Sequence, residues 1–117
     1  SNPSNAFVVN YDGSATLSGD LTINSDMRLK SNIASLGSTL SKLLLIDGKS
    51  YTMKKDGEQK IGVLAQDIQK VFPELVTKDS NEILAVNYQG LIPVLINALN
   101  EQQRQLKTLK KEFLKNK

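Results

Sequence analysis

Asn24-Ser25-Asp26-Met27-Arg28-Leu29-Lys30-Ser31-Asn32-Ile33 is where the chain changes character. Upstream there is no Lys or Arg and the apolar residues alternate as in strands. Downstream, basic residues appear and the apolar spacing turns helical. Within the stretch, Ser25 stands five residues ahead of Lys30, and a serine with a lysine is one way of activating a hydroxyl nucleophile without histidine. The chain has no histidine and no cysteine, which excludes a Ser-His-Asp triad, a cysteine nucleophile, disulfides and any Cys/His zinc site. On an ideal helix, positions i and i+5 lie about 140° apart, so Ser25 and Lys30 meet only through a turn, an extended backbone or a neighbouring subunit. The plainer reading has Ser25 and Asp26 capping a helix, with Arg28 and Lys30 in water.

Working upstream, Ala15, Leu17, Leu21 and Ile23 alternate with Thr16, Ser18, Thr22 and Asn24, and turn signals stand at Asp12-Gly13 and Gly19-Asp20. This predicts short strands over residues 6–24. Two such strands make no stable sheet alone, so their apolar face calls for further copies. Ser1 to Asn5 carries no signal-peptide pattern and reads as a boundary rather than a natural start.

Downstream, Ser38 opens a helical stretch with Leu40, Leu43 and Leu44 on one face and Asp47-Gly48 at its end, and the run Leu43 to Ile46 reads as core. Tyr51 to Met53 and Ile61 to Val63 flank a turn at residues 54–58, and Gly62 permits close backbone approach or a bulge. Ala65 to Val71 is a short helix stopped by Phe72-Pro73. Gln66 and Asp67 at its start read as capping and first-turn charge, with support for the Ser25 site as the alternative. A second hairpin joins residues 75–77 to 83–86 through Asp79-Ser80-Asn81. Asn87 then offers a cap for the longest element, whose first turn is made irregular by Gly90 and Pro93.

In that element Ile92, Leu95, Leu99, Gln102, Leu106, Leu109 and Phe113 fall at alternating spacings of three and four, the a/d seam of a coiled coil. Such a stripe calls for copies of itself. Ile96 and Ala98 widen it where the rest of the domain is expected to pack, and Gln102, the one polar d position, is a candidate for fixing register. The seam does not distinguish dimer from trimer. The fold class is therefore α+β: short strands over residues 1–24, then, over 25–117, a small mixed domain with two β-hairpins, short helices and a long coiled-coil helix at about 88–115.

Composition narrows the function. The net charge of +3 is carried by the end of the chain, where Arg104 to Lys117 hold six basic residues against one Glu, leaving −2 for residues 1–103. This reads as a solvated helix end, whose carbonyls favour cations. A nucleic-acid interface is the weaker reading, because no aromatic residues interleave with the charge. No apolar run approaches the ~20 residues of a membrane span, and nothing in the residues calls for a metal or cofactor.

Four motifs stand in order: Ser25-Asp26-x-Arg28-Leu29-Lys30-x-Asn32-Ile33, Ile61-Gly62-Val63-Leu64-Ala65-Gln66, Phe72-Pro73-Glu74-Leu75 and Val86-Asn87-Tyr88. Together, from Ser25 to about Leu106, the chain resembles the chaperone-of-endosialidase family, or S74 peptidases, found at the C-terminal ends of phage tailspikes and tail fibres. Where the family usually has an acid before the tyrosine, this chain has Asn87. The resemblance implies a homotrimer that assists folding of the fibre ahead of it and is released by cutting its own chain just before the motif serine. Ser25 is then the nucleophile, Lys30 its general base, and Asn24-Ser25 the bond cut, with Asp26, Arg28 and Gln66 as possible support. A free lysine titrates near 10.4, so a base role needs burial or a nearby cation; Arg28 is a candidate for that cation, unless it binds Asp26. The resemblance makes residues 1–24 the end of a trimeric β-stalk. It implies assembly in the host cytoplasm and a mature fibre on the virion. The alternative is a trimerisation module of a fibre protein that never cleaves.

Overall fold

The structure, a computed structural model of the single chain, describes residues 6–116. Ser1 to Asn5, read above as a boundary, and Lys117 of the basic end lie outside them. The chain divides into two compact units, Ser1–Ala34 and Ser35–Lys117.

In the first unit, β1 (Phe7–Val9) and β2 (Ala15–Leu17) pair antiparallel, with Phe7 opposite Leu17 and Val9 opposite Ala15. Gly13, at φ +89°, makes the turn expected at Asp12-Gly13, and Asp12 Oδ1 accepts the Ser14 N–H at 2.9 Å. The alternation at Leu21 and Ile23 does not become a strand: residues 21–26 hold no regular structure, and both side chains are exposed. A strand needs a neighbour for its ladder, and among the described residues this segment has none.

The second unit is built on three helices and two hairpins. The helix expected from Ser38 is one turn only, α1 (Leu40–Leu43). Thr39 precedes it without capping it, because its buried hydroxyl donates instead to the Val94 carbonyl at 2.7 Å. One turn presents only positions i and i+3 inward, so Leu40 is buried and Leu43 packs against the core, while Leu44 and Leu45 point to solvent. The apolar run at 43–46 is thus only partly core. Strands β3 (Lys49–Thr52) and β4 (Gln59–Gly62) form the first hairpin, with Gly57 at φ +75° in the turn. Helix α2 (Ala65–Val71) ends where Phe72 precedes Pro73, as expected. The second hairpin pairs β5 (Val76–Lys78) with β6 (Leu84–Val86); Asp79 Oδ1 accepts the N–H groups of Asn81 and Ile83 and so holds its loop.

The long helix α3 spans Leu91–Lys115. Asn87 does not cap it. A 3-10 turn, Tyr88–Gly90, intervenes, and the Asn87 N–H continues the hairpin by donating to the Leu75 carbonyl at 2.8 Å. Gly90 is required by packing, since a Leu75 methyl occupies the place a Cβ would take. Pro93 falls in the first turn, where its missing N–H has no helical partner to lose. Ile68, fully buried, Phe72 and Val94 form the centre of the core. Ala98, one turn beyond Val94, is also buried, as expected, but Ile96 is exposed. The domain packs on the face carrying Val94 and Ala98, which lies roughly a quarter turn from the a/d stripe.

Candidate functional site

Asp26 has extended backbone (φ −65°, ψ 134°) and caps a 3-10 turn, Met27–Leu29, by accepting the Arg28 N–H at 2.9 Å. The turn closes through Leu29 N–H to Asp26 O and Lys30 N–H to Met27 O, after which Lys30 is extended again. Three residues complete one turn of a 3-10 helix. Lys30 Nζ reaches Ser25 Oγ at 2.7 Å. Of the three routes open to a Ser-Lys contact, this one is the turn. Ser25 and Asp26 do not cap an α-helix; Asp26 alone caps, and Lys30 is engaged with Ser25.

Arg28 is paired with Asp26 while its side chain stays largely exposed. Its Nε donates to both Asp26 carboxylate oxygens at 3.1 Å, and its NH2 group donates to Oδ2 at 2.7 Å. The Arg28 side-chain hydrogen bond, then the bond from its backbone N–H, holds the Asp26 carboxyl below its ordinary value, and Asp26 in turn raises the Arg28 guanidinium. Of the two roles considered for Arg28, binding Asp26 is the one present in the single chain. A cleft of about 450 Å³ opens beside the turn, lined by Asn24, Ser25, Asp26, Arg28 and Leu29, so the Asn24-Ser25 peptide adjoins open space. Both Ser25 and Lys30 are exposed.

Gln66 belongs to the second unit, in the first turn of α2. It makes no capping bond there, the N-cap being Leu64. It lines another cleft, of about 410 Å³, with Tyr51, Val63, Leu84 and Tyr88 among its walls. At the edge of that cleft the Val63 N–H donates to the Tyr88 hydroxyl at 3.1 Å. A Cβ on Gly62 would lie 2.6 Å from the same hydroxyl and 2.8 Å from that of Tyr51. The glycine of the second motif and the tyrosine of the fourth are thus parts of one contact.

On α3 the seam residues Ile92, Leu95, Leu99, Leu106, Leu109 and Phe113 are each more than half exposed, and Gln102 is exposed among them. Reasoning from sequence missed what ties the start of the second unit to this helix. Asn97 Nδ2 donates to the Gly37 carbonyl at 2.9 Å, Thr39 donates to Val94, and the Leu40 N–H donates to Glu101 Oε2 at 3.1 Å. These partners are 55 to 61 positions apart, and polar residues at such separations leave no periodic signal. Among the described residues no helix is long and apolar enough to cross a membrane, and no cluster of acidic or other metal-binding side chains is present.

Residues 25–77 match the sequence pattern of a family described as chaperone of endosialidase. The chain is also similar to proteins called long tail fiber protein Gp37. It is 30% identical over 122 residues to that of Salmonella phage S16, covering 94% of this chain and 16% of the relative. With that of Enterobacteria phage Ox2 it is 30% identical over 126 residues, covering 95% of this chain and 50% of the relative. With that of Escherichia phage AR1 it is 33% identical over 100 residues, covering 77% of this chain and 9% of the relative. The chain spans half or less of the length of these relatives.

Proposed function

From the match of residues 25–77 to the chaperone-of-endosialidase family, we propose that the chain belongs to that family, trimerises, assists the folding of a phage tail fibre ahead of it, and then cuts itself free between Asn24 and Ser25. The observation that carries the chemical part is the 2.7 Å approach of Lys30 Nζ to Ser25 Oγ within one chain, next to the bond to be cut. In this reading residues 1–24 are the end of the stalk and residues 25–117 the chaperone domain. Assembly takes place in the host cytoplasm, and the finished fibre joins the virion.

The chemistry uses only the chain and water. Neutral Lys30 takes the proton of the Ser25 hydroxyl as Oγ attacks the Asn24 carbonyl carbon, closing a five-membered ring. The Asn24–Ser25 C–N bond then breaks, and its nitrogen takes up a proton to become the free amino group of Ser25. What remains is an ester between Asn24 and Ser25 Oγ. Water attacks that ester, leaving a carboxylate on Asn24 and returning the hydroxyl to Ser25. A protonated lysine cannot perform the first step. Ser25 and Lys30 are exposed in the single chain, so packing of the other copies around the turn is what would make the amine a base. That requirement ties cutting to assembly.

Assembly itself rests on α3. Its a/d stripe is exposed along its length, and three copies would bury each other's leucines. Exposure of the Ser-Lys pair also favours a second reading, a trimerisation module that holds a fibre end and never cleaves. Cutting of the native chain separates the two, and lysine substitutions then test the base. Lys30→Ala and Lys30→Arg should both leave the chain whole while it still trimerises, since a guanidinium stays charged and accepts no proton. Cutting of Lys30→Arg at the native rate would remove lysine as the base.

A further inference from the structure

We propose that Asp26 is a positioning residue for the Ser25–Lys30 pair, its carboxylate fixing, through Arg28, the turn that brings amine to hydroxyl. This rests on the reading of Ser25 and Lys30 as nucleophile and base. The geometry is economical: one carboxylate holds the turn at two points. Asp26 Oδ1 accepts the backbone N–H of Arg28, capping the Met27–Leu29 turn, while both of its oxygens grip the Arg28 guanidinium. Asp26 and Lys30 are extended on either side, so this turn is the bend between nucleophile and base, and its closure sets their separation. An exposed 3-10 turn of three residues has little stability of its own. An exposed ion pair adds little to the stability of a fold. The consequence of losing the pair is therefore read in the reaction rather than in unfolding.

The test uses the full chain. Asp26→Asn keeps a side-chain oxygen for the Arg28 N–H but releases the guanidinium, whereas Asp26→Ala removes both. Asp26→Ala should cut at least about tenfold more slowly, as misplaced reacting groups do, with oligomer mass and circular dichroism unchanged. Asp26→Asn, which keeps the capping oxygen, should cut at a rate between those of Asp26→Ala and the native chain. Native cutting by Asp26→Ala, or cutting by Asp26→Asn no faster than by Asp26→Ala, would overturn the proposal. A native chain that never cuts counts instead against the nucleophile and base beneath the proposal.

Discussion

A methyl group added at Gly62 would meet the Tyr88 hydroxyl at 2.6 Å and the Tyr51 hydroxyl at 2.8 Å. Both phenols must then shift, and Tyr88 loses its bond from the Val63 N–H. Gly62→Ala is expected to destabilise the second unit by about 1–3 kcal/mol, the usual cost of overpacking. Tyr88→Phe gives up the hydrogen bond but also one of the clashing atoms, so the double variant should be less destabilised than the sum of the two, a non-additivity expected of touching residues. Thermal unfolding of the four proteins checks this; strict additivity would mean that the contact is not made. The Asp26 carboxyl gives a second expectation. Its folded value lies below the ordinary 3.8 because Arg28 binds the charged form, so its contribution to the turn is present above pH 3.8 and is lost as pH falls through the lower, folded value. Carbon NMR of the Asp26 carboxyl should give a midpoint below 3.8. A midpoint at or above it would mean that Arg28 does not pair with Asp26.

Among the elements, α3 carries the proposed assembly. Replacing Leu99 by Asp would put carboxylates against each other where leucines should meet, and the charges would have to be protonated or stay apart. In a Ser25→Ala chain, which stays whole, Leu99→Asp should give a monomer of about 12.9 kDa by sedimentation, while Ser25→Ala alone sediments at three times that mass. The helix and both hairpins were legible because their signals are local: period in α3, turn chemistry at 54–58 and 79–81, and Phe72-Pro73 as a stop. The same kind of reasoning failed where a partner distant in sequence took the group. Thr39 looks like an ordinary residue at a helix start, yet Val94 claims its hydroxyl. Asn87 looks like a cap, yet Leu75 holds its backbone. Leu44 and Leu45 looked like core because a longer helix was expected around them. At the candidate site the residue types were readable but their meeting was not, since the spacing of Ser25 and Lys30 fits no α-helical face; it took the short turn at Met27–Leu29 to join them.

For the whole molecule, the proposed order of events follows from entropy. Three chains threading one β-stalk must close long loops before distant contacts form, and strands like those at residues 7–17 are too short to hold together alone. A trimer formed first through α3 would keep three stalk ends at high local concentration. Cutting afterwards would remove the template, so that a folded stalk, once separated, has no equal route back. The most direct measurement of this account is the intact mass of the purified chain, with and without Ser25→Ala. The account predicts that the native protein yields two fragments, one ending at Asn24 and one beginning at Ser25, and that Ser25→Ala stays whole and trimeric. Fragments ending anywhere else, or a Ser25→Ala chain that is still cut after Asn24, would contradict it.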